Sequence, residues 1–371
     1  VLASVYWIFG FLRMGTSGLV AQAHGAGDEV EAGGHLLRAL GIGLAAGLAL
    51  VLLHVPIFAG AFRLAPASPE VEALARQYLA IRIWGAPATI ALYAITGWLI
   101  AMERTRGVLF LQLWMNGLNA VLSFWFVLGL GAGVAGVAIA TLIAEATGLA
   151  LGLWLCRDGF RAWPERAQVM ARGPILRMLR VNGDIMIRSV ALQGSFVAFM
   201  FLGAGLGDVT LAANQVLLQF IEVTAYALDG FAFAAEALVG QAIGARSPAG
   251  VRRASLLSSQ WGLVMAGLLS AVLAATGAAL IALMARDPAV QAEAVRYLPW
   301  VVVIPVLSVG AYMLDGIFIG ATAARDMRNA TVLSVAIFAG AVALLLPPLG
   351  NHGLWAGLVV LNVSRMVTLL R

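Results

Sequence analysis

Glu222, Asp229 and Glu236 stand seven residues apart in an otherwise apolar stretch. Seven residues is nearly two turns of an α-helix, so the three carboxylates share one stripe, successive members about 10.5 Å apart. Such a ladder suits a proton or a hydrated cation moving along it. Asp184 and Arg188 are four residues apart, share a helix face and can pair. Pairing would keep Asp184 ionised, whereas burial would favour its protonated form. Asp315 lies between Leu314 and Gly316, deep in an apolar run with no local counter-charge, so it needs a partner on another helix or a cation. An ionised side chain at a bilayer centre costs roughly 2.5–3.5 kcal/mol on insertion scales, so each of these charges needs a reason. Asp184, Asp229, Glu236 and Asp315 are therefore the candidates for cation or proton coupling. Arg188, Arg13, Glu222, Asn116 and Asn119 are the candidates for the substrate cavity or its charge partners. The rival reading makes Asp184–Arg188 a structural ion pair, puts Glu222 or Glu236 at a membrane edge, and leaves the amides, with Gln22, holding helices together.

No HExxH, GxSxG or P-loop pattern is present, so neither an enzyme nor direct ATP use is expected. The single cysteine, Cys156, allows no intrachain disulfide and no cysteine metal site. No cofactor and no metal are expected, only a proton or sodium as coupling ion.

The elements that must position these residues follow from the composition. Hydrophobic residues make up 62% of the chain and charged residues 11%, against about 25% charged in soluble domains. Mean hydropathy is +0.95. So much apolar surface cannot be hidden behind a polar exterior and demands a lipid-facing one. Apolar runs long enough to span a bilayer occur at 1–24, 36–60, 78–101, 107–130, 133–156, 175–203, 209–243, 252–284, 295–321, 328–348 and 353–371. Their length, with no ~10-residue alternation, argues for helices rather than a barrel.

All 23 basic residues are arginine. Fourteen of them cluster after alternate helices: Arg38; Arg104 and Arg106; Arg157, Arg161, Arg166, Arg172, Arg177 and Arg180; Arg246, Arg252 and Arg253; Arg325 and Arg328, whereas the intervening loops hold only Arg63, Arg76, Arg286 and Arg296. The positive-inside rule puts these loops in the cytoplasm, in a multi-pass protein of the inner membrane. The basic charge is then a topology signal, and no nucleic-acid partner is expected. The polar segment 157–174 reads as a cytoplasmic linker between an N-terminal lobe, 1–156, and a C-terminal lobe, 175–371.

The halves repeat. Leu19–Ala26 (LVAQAHGA) matches Leu238–Ala245 (LVGQAIGA) at an offset of 238 − 19 = 219. The same offset pairs Tyr78-Leu79 with Tyr297-Leu298, Tyr93 with Tyr312, Gly97 with Gly316, Arg106 with Arg325 and Gly131 with Gly350. Pro87 and Pro305, both expected to kink their helices, pair with a one-residue slip. A period of six helices makes both halves cross the membrane in the same sense, so an all-α integral membrane fold of two six-helix bundles in parallel pseudo-two-fold repeat is expected, with the substrate site near the midplane between them. The second repeat begins near Gly173, and 173 − 219 = −46, so the first helix is expected to be missing from this chain. The acids do not follow the repeat: 219 positions before Asp229, Glu236 and Asp315 stand Gly10, Ser17 and Thr96. Acids that the scaffold's symmetry does not require are the better candidates for function.

Phe11–Ala23 (FLRMGTSGLVAQA) resembles the second helix of multidrug and toxic compound extrusion (MATE) transporters, in particular the branch of the DNA-damage-inducible protein F (DinF). Asn182–Ser189 (NGDIMIRS), Ala225–Glu236 (AYALDGFAFAAE) and Leu314–Thr322 (LDGIFIGAT) are similar to that branch's seventh, eighth and tenth helices. The resemblance covers essentially the whole chain. It implies two lobes enclosing a cavity, and export of organic, often cationic or amphipathic, compounds by antiport with protons or sodium. The family's protonatable aspartate of the first helix has no position here to carry it. The expected partners are a small-molecule substrate and membrane lipid, with the chain a monomer. A lipid-linked saccharide flippase of the same superfamily is the alternative; its cavity should be strongly basic, whereas the intramembrane charges read here are mainly acidic.

Overall fold

A computed structural model describes residues 6–64, 68–160 and 166–370. Residues 1–5 of the first expected helix, 161–165 of the expected linker and Arg371 lie outside the described residues. Among the described residues there is no strand. The helices are α1 (Phe11–Gly25), α2 (Glu29–Leu52), α3 (Pro69–Arg82), α4 (Ala86–Ala101), α5 (Thr105–Phe124), α6 (Gly133–Leu155), α7 (Arg172–Ala204), α8 (Asp208–Gly244), α9 (Pro248–Met284), α10 (Pro288–Gly320), α11 (Ala324–Leu349) and α12 (Asn351–Leu369), with a short helix His54–Leu64 after α2.

Nine helices of the described residues are long and apolar enough to cross a membrane, α3 and α4 counting as one. Eleven apolar runs were expected. The two that fall short are α1, 15 residues long, and α12, 19 residues long. The latter carries Asn351, Asn362 and Arg365, all buried within the protein rather than facing lipid. The run expected at 78–101 begins earlier, at Pro69, and is interrupted by a 3-10 turn at Ile83–Gly85 just before Pro87. Proline's missing N–H and ring clash with the preceding turn account for that break. In the second half α10 continues through Pro299 and Pro305.

The chain divides into two compact units, Val1–Asn182 and Gly183–Arg371, with the division inside α7. In the first, α1 packs on α2 and α4, α2 on α4, α3 and α4 on α6, and α5 on α6. In the second, α8 packs on α9 and α10, α9 on α10, α10 on α12, and α11 on α12. The helix order and pairing are therefore the same in both. The polar segment belongs to the first unit, where buried Arg38 donates to the carbonyls of Gln168 (2.9 Å) and Val169 (3.0 Å).

The repeat extends to the turns. Positive φ occurs at Gly27 and Arg246 (27 + 219 = 246), at Glu103 and Thr322 (103 + 219 = 322), and at Gly131 and Gly350 (131 + 219 = 350). Left-handed backbone costs a non-glycine residue about 1–2 kcal/mol, so its recurrence at Glu103 and Thr322 marks a turn the fold enforces. Both close a helix in the same way: Arg104 N–H donates to Leu99 O and Ala323 N–H to Phe318 O, satisfying carbonyls the helix end leaves orphaned. N-caps recur too. Asp28 accepts from Glu31 N–H and Ser247 from Gly250 N–H; Ser68 caps Pro69–Arg82 as Asp287 caps Pro288–Gly320. Helices also meet at matching points. A Cβ on Gly97 would strike the carbonyl of Arg13, and one on Gly316 that of Ala232, and 232 − 13 = 219. The scaffold is thus duplicated down to individual capping bonds.

Candidate functional site

What the duplication does not carry is charge. In the second unit Asp315, on α10, accepts through Oδ2 from Arg188 Nη2 on α7 and from Arg365 Nη2 on α12, the latter at 2.5 Å. The three residues are 7%, 6% and 3% exposed. Arg365 Nη1 donates to Asn362 Oδ1 at 3.2 Å. Asp315 Oδ1, Arg188 Nε and Arg365 Nε have no hydrogen-bond partner. Asp229 on α8 is half-buried and within electrostatic range of Arg188, and Tyr312, one turn before Asp315, faces the same charges. Charges of both signs gathered away from water hold one another in place, because the low dielectric that makes an isolated charge costly also strengthens each pair.

The i, i+4 pair expected between Asp184 and Arg188 does not form. Arg188 turns to Asp315, 127 residues away, and Asp184 takes Arg328 Nη1 of α11 at 2.5 Å. The two side chains of α7 thereby join two different helices, which serves a helix that must be anchored at both. α7 is further held by Phe199 against Trp355 of α12, ring centroids 5.0 Å apart. The stripe Glu222–Asp229–Glu236 does not form one environment. Glu222 is exposed, Asp229 half-buried and Glu236 1% exposed. The cause is packing: towards its C-terminal end α8 lies against α10, with the backbone of Ala232 on Gly316 and that of Glu236 on Gly320.

In the first unit Arg13 is half-buried and close enough to Tyr93 to act on it electrostatically. Asn119 donates to Thr141 Oγ1 at 2.7 Å, tying α5 to α6, while Asn116 is exposed. The strongest ion pair here is Arg82 with Glu145: Nη1 to Oε2 at 2.6 Å and Nη2 to Oε1 at 2.9 Å, each side chain 9% exposed. At the matching positions of the second unit stand Val301 (82 + 219) and Ser364 (145 + 219).

Three arginines of this arrangement, Arg365, Arg328 and Arg82, were not singled out from sequence. Arg365 had a signal: it is a lone charge within the apolar run LVVLNVSRMVTLL, as Arg13 is in its own. Arg328 was absorbed into the loop-charge pattern, and nothing in the sequence distinguishes it there.

The MatE family matches residues 1–125 and 185–345. The chain is 41% identical to DNA damage-inducible protein F of Escherichia coli (strain K12) over 97% of its own length and 79% of that protein. It is 28% identical to the probable multidrug resistance protein NorM of Bradyrhizobium diazoefficiens, covering 72% of this chain and 60% of that one. It is 26% identical to Protein DETOXIFICATION 44, chloroplastic, of Arabidopsis thaliana, covering 90% and 63%. The chain thus spans about three-fifths of the length of the last two. Among solved structures, MATE in the straight conformation superimposes with a TM-score of 0.90 at 21% identity, covering 99% of this chain and 83% of that one. The outward-facing conformation of a multidrug resistance MATE family transporter of the MOP superfamily gives 0.86 at 20%, covering 97% and 82%. At that identity the likeness speaks to the fold.

Proposed function

The chain belongs to the MATE family of multidrug efflux transporters, multi-pass membrane proteins that handle small molecules, and from that premise we propose that it exports organic, cationic or amphipathic compounds by antiport with protons or sodium through alternating access of its two units. Asp184, Asp229, Glu236 and Asp315 carry the coupling; Arg188, Arg13, Glu222, Asn116 and Asn119 supply charge partners or line the substrate's path. The chain works as a monomer in the inner membrane, arginine-rich loops in the cytoplasm, without ATP and without a bound cofactor.

The observation that carries this reading is the asymmetry of charge on a symmetric scaffold. Packing explains the shared caps, turns and helix contacts. It does not explain why Asp229, Glu236 and Asp315 stand where the first unit has Gly10, Ser17 and Thr96. Acids kept in an apolar interior at a cost of roughly 2.5–3.5 kcal/mol each, and absent from the equivalent half, answer to function. Proton uptake at such an acid changes the charge of the interior by one unit, which is large enough to bias the unit between two packings.

A second reading, a flippase for lipid-linked saccharides, draws support from Arg188 and Arg365, two buried guanidinium groups of the kind that grips phosphate. Vesicles containing the purified chain, loaded with a fluorescent amphipathic cation, separate the two. Efflux driven by an imposed pH or sodium gradient supports antiport. Substrate movement indifferent to both gradients defeats it, and movement of a saccharide pyrophospholipid instead supports the flippase.

A further inference from the structure

Asp315 is held differently from an acid that waits for a metal ion. One of its oxygens, Oδ2, already receives two guanidinium groups, Arg188 from α7 and Arg365 from α12. Its other oxygen, Oδ1, has no hydrogen-bond partner, and neither has the Nε–H of either arginine, although all three residues are more than nine-tenths buried. A guanidinium grips a carboxylate most fully with two parallel N–H···O bonds. Each arginine here has a bond to spare, and the carboxylate has an oxygen to spare.

The charges facing Asp315 come from every side. α7 supplies Arg188 and carries Asp184 farther along; α8 supplies Asp229 and carries Glu236 farther along, its backbone against Gly320; α10 itself supplies Tyr312; α12 supplies Arg365. The acids and bases of α9 are Arg252 and Arg253 in its first turns, and those of α11 are Arg325, Asp326 and Arg328 at its start. Two full positive charges thus lie in bonding contact with one carboxylate oxygen. A sodium ion on that carboxylate would be a third, and it would need several oxygen ligands where the immediate donors are N–H groups. Among the described residues, no three His, Cys, Asp or Glu side chains gather closely enough to hold a metal ion. A proton needs only one lone pair, and Oδ1 offers it.

We propose that Arg188 and Arg365 are the built-in counter-cations of Asp315, so that this carboxylate accepts a proton at Oδ1 and excludes a metal ion. The two arginines are then specificity-determining residues, choosing proton over sodium; this rests on the coupling reading given above. When a proton from water bonds to Oδ1, the carboxylate becomes a neutral acid. Oδ2 becomes a weaker acceptor, and both guanidiniums lose the charge they shared. Asp229 is the carboxylate in electrostatic range of Arg188, so Arg188 is drawn towards α8 and away from α10. The close backbone pairings of this unit join α8 through α12, whereas α7 is tied to them by side chains: Arg188 to Asp315, Asp184 to Arg328 and Phe199 to Trp355. Protonation of Asp315 therefore loosens one of the ties on α7. Loss of the proton restores it.

The test needs no substrate in its first arm. Thermal unfolding of the purified full chain at pH 8 is compared in sodium chloride and in potassium chloride. The wild-type midpoint should be the same in both salts. A rise specific to sodium that Asp315→Asn removes would overturn the proposal. In the second arm, Arg365→Gln and Arg188→Gln each remove one of the two counter-cations of the carboxylate. Each should make the protein stabilised by sodium over potassium, and the pH profile of proton-driven efflux should differ from that of wild type. Arg365→Lys, which restores a cation, should return both readouts towards wild type. Variants that fold and show neither change would overturn the proposal. Variants that fail to fold leave the wild-type sodium arm to decide it. Efflux indifferent to both gradients would defeat the antiport reading, yet sodium stabilisation, measured without transport, still decides this one.

Discussion

Two buried carboxylates, one in each unit, meet arginine in opposite ways. Glu145 and Arg82 close on each other: both carboxylate oxygens and both terminal nitrogens are used, at 2.6 and 2.9 Å, with each side chain 9% exposed. Asp315 is shared between two arginines through one oxygen, with its second oxygen and both Nε–H groups unpartnered. The first arrangement is complete and offers a proton nothing without breaking a bidentate bond. It braces α3 against α6, and Tyr6 adds a hydroxyl bond to the Arg82 carbonyl at 3.1 Å. The second is incomplete, so a change of protonation redistributes its bonds rather than destroying them. Both sit on one duplicated scaffold. Burial of an ion pair is thus no guide to function by itself; what separates a brace from a switch is whether the hydrogen-bond capacity is filled.

The contrast can be broken by substituting each acid in turn. Asp315→Asn should reduce gradient-driven efflux by roughly 5–150-fold, the range of coupling free energies of ~1–3 kcal/mol, in vesicle flux assays, and because it leaves Arg188 and Arg365 buried without their carboxylate it should lower the unfolding midpoint as well. Glu145→Gln should spare the coupling. It leaves Arg82 buried and unpaired, which costs about 3–5 kcal/mol, read as a lowered unfolding midpoint, but protein that survives should keep the wild-type pH profile. Equal behaviour of the two variants would erase the distinction.

The scaffold half of the comparison makes its own demand. Gly97→Ala and Gly316→Ala place a methyl against the backbone carbonyls of Arg13 and Ala232, and each should destabilise by about 1–3 kcal/mol. The two costs should match, because the two contacts are the same contact; a strongly unequal pair of unfolding midpoints would argue that the repeat is only approximate there. Smallest of all is Asp184→Asn. Its partner Arg328 keeps a side chain 28% exposed, against 9% for Arg82, so the fall in the unfolding midpoint should be smaller than that of Glu145→Gln. A large fall in the unfolding midpoint would show Asp184 to be a brace like Glu145.

Much of this was legible in the residues. Apolar runs and alternating arginines mark the helices, because lipid leaves the backbone no other way to satisfy its hydrogen bonds. The offset of 219 seen in LVAQAHGA and LVGQAIGA reappears in the φ values of Gly131 and Gly350 and in the caps Asp28 and Ser247. The partners of the charges were not legible. Local spacing tells which side chains share a helix face, and so it suggested Asp184 with Arg188. It does not tell what the neighbouring helix presents to that face. Arg188 finds Asp315 at a separation of 127 residues and Asp184 finds Arg328 at 144. Glu222, Asp229 and Glu236 keep their common spacing, but their burial differs: the backbone of Glu236 lies on Gly320 of α10, whereas the Glu222 side chain is left exposed.

The central claim, that Asp315 between its two arginines is where the second unit takes up a proton, is tested most directly by counting protons. Purified protein in weakly buffered detergent solution is mixed with a transported amphipathic cation, and the pH change is followed. The account predicts proton release from wild type and from Glu145→Gln, and none from Asp315→Asn. Undiminished release from folded Asp315→Asn would contradict it.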